Sequence, residues 1–273
     1  MTPEGMTRVE RFRQSHQPGR PLLLPNPWDA GSARILARLG FQALATTSSG
    51  YAATLGRPDG SVTRAEALEH AAYIVAATDL PVSADLENGF ADDVDGVAET
   101  IRGAIAAGLA GCSVEDFTGR DDEPIYEHAH AAERIAAAAE IAHGGTDRLV
   151  LTARAENHLH GRDDLADTIA RLQSYQQAGA DVLYAPGLVS VADIRAVTSS
   201  VDRPVNVLAL HGAPGVAELA LLGVARVSVG GAFAFAALAA LAEAGRELLD
   251  AGSYGFTRRA AAGREIADET FTA

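Results

Sequence analysis

Four times in this chain a helix-like stretch ends at a glycine and hands over, within a few residues, to a short apolar run. The segments are "ARLGFQALATT" (37–47), "AAGLAGCSVED" (106–116), "QAGADVLYAP" (177–186) and "LLGVARVSVG" (221–230). Glycine accepts the left-handed backbone that closes a helix, so a helix, one glycine and then a strand reads as an αβ loop. Four further runs have strand character: "PLLLPN" (21–26), "LPVSADLE" (80–87), "RLVLTAR" (148–154) and "RPVNVLAL" (203–210). Helical spacing fills the gaps. In 92–111 the residues Val94, Val97, Ile101 and Ile105 share one face, with Asp92 or Asp93 placed to cap it; Leu165, Ile169 and Leu172 do the same after Asp163. Strand and helix therefore alternate about eight times in 273 residues. That arithmetic predicts a (β/α)8 TIM barrel, a single domain over 1–273 with helical extensions at both ends. A doubly wound open sheet is the competing arrangement, but no G-x-G-x-x-G follows the first strand.

Composition enters as exclusion. A net charge of −14 argues against nucleic acid or an anionic membrane as partner. The longest apolar stretch, "GGAFAFAALAALAEAG", is short for a membrane span, and "MTPEGMTRVERFRQSHQPGRP" has no signal-peptide pattern, so the expected compartment is the cytoplasm. The single cysteine, Cys112, permits no internal disulfide and no zinc–thiolate cluster.

Barrel active sites sit where strands end. Here the ends are polar: Asn26 and Asp29, then "TTSSGY" (46–51), Asp85 and Glu87, Glu115 and Asp116, Arg154, Tyr184, Asn206 and Ser228. The strand starts are apolar or proline. Residues i and i+2 of a strand share a side, so Asp85 and Glu87 converge, with Glu115 on the next strand. An all-oxygen set without His or Cys is the chemistry of a hard cation, Mg²⁺ or Mn²⁺. The competing reading makes these acids loop residues, or ion-pair partners of Arg154. Arg154 suits a bidentate carboxylate or a developing oxyanion. The run Ser48-Ser49-Gly50 offers hydroxyls and backbone N–H groups to an anion.

The segments "TTSSGYAATLGRPDG", "LPVSADLENGFADD", "AGLAGCSVEDFTG" and "LTARAENHL" resemble, in order and spacing, the signatures of the isocitrate lyase/phosphoenolpyruvate mutase superfamily. The resemblance implies a barrel whose last helix is exchanged between subunits, in a homodimer or homotetramer. It implies Mg²⁺ held by Asp85, with Glu87 and Glu115 acting mainly through water and Asp59 near the metal's waters. Ser48, Ser49 and Gly50 fall where a substrate carboxylate binds, and Arg154 where an oxyanion is steadied. Family substrates are 2-oxo or 2-hydroxy acids, cleaved through a metal-stabilised enolate. The Lys-Cys-Gly-His loop of the isocitrate and methylisocitrate lyases is missing, since that place reads "FTGRDDEPIYEHAHAAERI"; the mutase's Lys-containing gate is missing too. The expected function is a lyase or decarboxylase acting on a small 2-oxo (di)carboxylic acid. The alternatives are a P–C bond hydrolase or mutase of the phosphonopyruvate type, and a non-catalytic 2-oxo acid binding protein. Tyr51, Tyr184 and His211 are candidate proton donors, and Tyr184 and Asn206 candidate substrate contacts.

Overall fold

A computed structural model describes residues 5–146 and 148–271. Eight parallel strands form one sheet: β1 (Leu22–Leu24), β2 (Leu44–Ala45), β3 (Val82–Asp85), β4 (Gly111–Glu115), β5 (Val150–Arg154), β6 (Val182–Tyr184), β7 (Val205–Leu208) and β8 (Arg226–Ser228). The order is β1-β8-β7-β6-β5-β4-β3-β2, and Ala45 N–H donates to Pro25 O at 3.0 Å to join the two ends. Around this (β/α)8 barrel lie α1 (Arg8–Gln14), α2 (Ala30–Arg38), α3 (Ser48–Thr54), α4 (Arg64–Ala76), α5 (Val94–Ala106), α6 (His128–His143), α7 (Leu165–Gln177), α8 (Val191–Ser200), α9 (Val216–Leu221), α10 (Ala232–Arg246) and α11 (Thr257–Phe271). All eight predicted strands are present.

The two-residue period of each strand divides the interior in two. Outward residues such as Val82, Ala84, Cys112, Val114, Leu151 and Ala153 pack under the helices in the larger core. The opposite faces of the strands point into the bore. At its lower end Leu22, Leu24, Ala43, Ala45, Val150 and Val182 surround Phe12, which α1 inserts as a plug. Gly111 makes room for that ring, because a Cβ there would lie 2.7 Å from Phe12 Cε1 and 2.8 Å from Val150 O. Above the plug the same faces turn polar: Ser83 and Asp85, Ser113 and Glu115, Thr152 and Arg154, Asn206, Arg226 and Ser228. An apolar floor therefore carries a polar mouth.

Three local expectations shift. The α5 cap is Asp93, which accepts from Gly96 N–H at 2.8 Å, but the α7 cap is Asp164, one residue beyond the expected Asp163. The buried side of α7 is Thr168, Arg171, Leu172 and Tyr175 rather than a purely aliphatic stripe, because Arg171 and Tyr175 reach Asp116 at 3.1 and 2.6 Å. The run Ser48-Ser49-Gly50, expected from sequence only as an anion cradle, opens the short helix Ser48–Thr54, capped by Thr47. Helix α10 leaves Phe233, Phe235, Leu238 and Leu241 exposed, and α11 meets α2 through an Arg38–Glu269 pair at 3.1 Å.

Candidate active site

Asp85 is the last residue of β3 and Glu87 lies beyond it in left-handed backbone (φ 47°), so the two acids do not share a strand face as the two-residue period predicts; the cation beside Asp85 is an arginine. Arg154, at the end of β5, donates from Nη1 to Asp85 Oδ1 (2.9 Å), pairs through Nη2 with Glu115 Oε2 (3.1 Å), and donates from Nε to Glu156 Oε1 (2.7 Å). The β4–β5 register sets Glu115 directly beside Arg154. Burial disfavours the guanidinium charge, yet Glu115, Glu156 and Asp85 more than offset this and hold its pKa well above the ordinary value. Burial drives Glu115 well above the usual carboxylate range; Arg154 opposes that only in part, while Glu156, Asp85 and Glu87 reinforce it. Asp85 is fixed at both oxygens, since Ser48 Oγ (2.9 Å) and Ser48 N–H (3.3 Å) donate to Oδ2.

Ser48, Asp85 and Arg154 border a cavity of about 200 Å³ at the barrel mouth, together with Asp59, Tyr184 and Ser228. At roughly 30 Å³ per water, that is room for a small molecule. Asp59 is pushed up by burial and then by the Asp85 charge. Glu87 is pushed up to about 8 by burial, then by Asp85 and Asp59. Glu87 Oε1 is buried and finds no hydrogen-bond partner among the described residues. The Asp85 charge raises the proton affinity of both Asp59 and Glu87, and Glu87 keeps an orphaned oxygen; a divalent ion would relieve that repulsion. No group of three acidic, imidazole or thiol side chains among the described residues is gathered tightly enough to hold an ion alone. An ion held here would have to take much of its coordination from water.

The other expected site residues scatter. Tyr184 lines the cavity, its ring centroid 5.2 Å from the Arg154 guanidinium carbon, and burial pushes its phenol up to about 12. Ser48 and Ser49 line the cavity, although Ser48 is spent on Asp85 rather than left open to an anion. Gly50 does not line it: a Cβ there would lie 2.5 Å from Thr47 Cγ2 and 3.2 Å from Ala234 Cβ, so this glycine lets α10 pack on α3. Tyr51 turns away and stacks on His70 at 3.8 Å between centroids. Asn206 borders the cavity, but its Oδ1 accepts from Arg226 Nε and its Nδ2 donates to Ser228 Oγ, both at 2.9 Å. Glu87 and Glu115 stand behind Asp85 and Arg154 rather than on the cavity surface. Cys112 lies in the outer core with its thiol pushed up to about 12 by burial, which makes it inert.

Sequence reasoning passed over two arginines and underused Glu156. Arg134, on α6, donates from Nη1 to Glu115 O (3.2 Å) and from Nη2 to Ala91 O (2.7 Å) and Asn88 O, so it holds the loop after β3 against the end of β4. That loop has left-handed backbone at two non-glycine residues, Glu87 (φ 47°) and Phe90 (φ 55°). Arg226 occupies an inward position of β8. A charged residue inside the apolar run "GVARVSVG" was the available signal.

The sequence profile of the phosphoenolpyruvate phosphomutase family matches residues 12–249. An uncharacterized protein of Mycobacterium tuberculosis is 33% identical over 240 residues, covering 88% of this chain and 89% of that one. A 2-methylisocitrate lyase of Halalkalibacterium halodurans is 30% identical over 203 residues, covering 72% of this chain and 65% of the lyase. An oxaloacetate decarboxylase of Paraburkholderia xenovorans is 29% identical over 215 residues, covering 76% and 70%. Among solved structures, a Burkholderia cenocepacia J2315 protein provisionally described as a lyase/mutase superposes with a TM-score of 0.94 at 54% identity, over 97% of this chain and 96% of that one. The chain belongs to the phosphoenolpyruvate mutase/isocitrate lyase superfamily, whose members are carbon–carbon lyases and mutases.

Proposed function

We propose that this protein is a Mg²⁺-dependent lyase that cleaves a C–C bond of a small 2-oxo (di)carboxylic acid, by decarboxylation or retro-aldol cleavage. The observation that carries the reading is Asp85, clamped by Ser48 and Arg154 beside Asp59 and the orphaned Glu87 oxygen. Breaking the bond at C3 leaves an electron pair that needs a sink. All 22 basic residues of the chain are arginine, so no lysine is available to form a Schiff base. The sink is therefore electrostatic.

When bound, the ion supplies an electrophile that polarises the 2-oxo group. Asp85 would hold it directly, with Asp59, Glu87 and Glu115 holding its waters; Mn²⁺ suits the same oxygen donors. The chain supplies the rest. Arg154 has five N–H groups and commits three to carboxylates, leaving two to steady charge that develops on the substrate oxygen. Tyr184 keeps its proton at neutral pH and borders the cavity, so it can return a proton to the carbon left behind. The low-dielectric surroundings strengthen each of these interactions. The methylisocitrate lyase and oxaloacetate decarboxylase relatives favour this reading; the loop 117–127, without lysine or cysteine, weighs against phosphonopyruvate chemistry and against the methylisocitrate reaction itself. Apolar side chains left open on α10 support a homodimer or homotetramer. No described helix is long and apolar enough to cross a membrane, and the acidic charge supports placement in the cytoplasm.

The test is release of product from oxaloacetate and related 2-oxo acids, with and without EDTA, in wild type and Asp85→Asn. We expect turnover that chelation abolishes, Mg²⁺ restores and Asp85→Asn lowers at least a hundredfold. Turnover indifferent to both would overturn the reading. Tight binding without product would point to a binding protein instead.

A further inference from the structure

The second inward arginine of the barrel has none of the counter-charge that surrounds the first. Arg226 is 4% exposed and lies one layer below the mouth, on β8, while Ser228 stands above it on the same face. Nε donates to Asn206 Oδ1 (2.9 Å), Nη2 to Thr152 Oγ1 (3.1 Å), and Nη1 approaches His16 Nε2 (3.3 Å). His16 Nδ1 lies 2.7 Å from the Phe12 carbonyl, which can only accept, so Nδ1 carries the proton and Nε2 offers Arg226 a lone pair. Burial, with Arg226 beside it, lowers the imidazole pKa to about 3, which keeps it neutral. Among the described residues the partners of this guanidinium are thus all uncharged.

A buried charge without a counter-ion is costly. Burial lowers the Arg226 pKa only to about 10, so it remains a cation at neutral pH. Three of its five N–H groups are used, and the residue borders the same cavity as Asp85 and Arg154. Of the acids proposed to hold the ion, those that line the cavity are Asp85 on β3 and Asp59 in the α3–α4 loop; Arg226 comes from β8, separated from β3 by β1 and β2. The cavity has acids at its mouth and, one layer deeper, a guanidinium without a counter-charge.

We infer that Arg226 receives a second anionic group of the substrate, so that the cavity selects dianionic 2-oxo acids over those with a neutral tail. This rests on the 2-oxo acid reading above and assigns the far end of the same cavity. The chemistry is shared by a carboxylate and a phosphonate, since both take two N–H bonds from a guanidinium.

The experiment is calorimetric titration, with Mg²⁺ present, of oxaloacetate, phosphonopyruvate and 2-oxosuccinamate, the 4-amide of oxaloacetate with nearly the same shape and one charge fewer. Wild type, Arg226→Gln and Arg226→Lys are compared, with thermal melts to confirm folding. Wild type should bind at least one dianion ten or more times tighter than the amide. Arg226→Gln should lose at least tenfold for that dianion and leave the amide within threefold; Arg226→Lys should keep the preference. Which dianion shows the effect separates a carboxylate tail from a phosphonate tail. An Arg226→Gln variant that weakens all three alike, or none, makes Arg226 a strut and overturns the inference while leaving the 2-oxo acid reading intact. Equal binding of dianion and amide by wild type does the same without any variant. Binding of none of the three by wild type overturns both.

Discussion

Replacing Arg134 by leucine tests whether the acidic loop after β3 is held from beneath. The guanidinium serves three backbone carbonyls, Glu115 O at 3.2 Å, Ala91 O at 2.7 Å and Asn88 O, and lies 4.1 Å from the Tyr126 ring centroid. Each buried carbonyl left unpaired costs about 1–3 kcal/mol. The lost cation–π contact costs about 1–2 kcal/mol. Removing a charge whose burial already lowers the Arg134 pKa returns part of that cost. The net expectation is a loss of about 3–5 kcal/mol, the range typical of breaking a buried charged contact on one side only. For a domain of this size that is roughly 6–20 °C in Tm. Urea unfolding with an unchanged m-value, together with thermal melts, reads the effect. A second readout is local. Freed from Arg134, the backbone at Glu87 and Phe90 leaves its left-handed conformation, so Mg²⁺ affinity by calorimetry should fall at least tenfold under conditions where the variant is folded. A stability change below about 1 kcal/mol would refute the reasoning, because it would mean water or a local shift satisfies those carbonyls without cost.

Folded Glu87 holds its proton to about pH 8 and an ordinary glutamate releases it near 4.5, so its contribution to stability is full below pH 4.5 and is lost as the pH rises to 8. The slope is at most about 1.4 kcal/mol per pH unit, reduced by the solvent contact that the side chain keeps; Glu87→Gln should flatten it in urea titrations at pH 5 and 8, and an identical slope in the variant counts against the assignment. His16 has the opposite sign: its pKa falls from 6.5 to about 3, so stability is present above pH 6.5 and lost as the pH drops towards 3. His16→Gln should remove that acid limb in the same titration, and a limb that persists shows another group is responsible. Tyr51→Phe should leave kcat within about twofold, because the ring stacks on His70 outside the cavity; a loss of a hundredfold in steady-state assays would return Tyr51 to the chemistry.

The barrel was legible because its signals are local. A glycine ending a helix, such as Gly108 at φ 77° or Gly179 at φ 111°, followed by a short apolar run, needs only near neighbours in the chain to be recognised. The run of polar residues at successive strand ends, Asp85, Glu115, Arg154 and Asn206 among them, was equally legible, whereas the two-residue period failed at Glu87, which lies past the end of β3. Local pattern failed where a residue had two equivalent uses. "TTSSGY" suits a turn or a helix start, and only α10 lying across Gly50 shows which.

What the order of residues determined by itself was the architecture and the end of the barrel where charge collects, since both follow from spacing along one strand or one helix. Tertiary structure decided which cation each acid meets. Arg154 reaches Asp85 across 69 residues of chain, and Arg134 reaches Asn88 across 46. It also decided that Arg226 finds only neutral partners, one of them His16 at the other end of the sequence, 210 residues away. Charge pairing depends on distances through space that close only when the barrel does, so no window of sequence contains it.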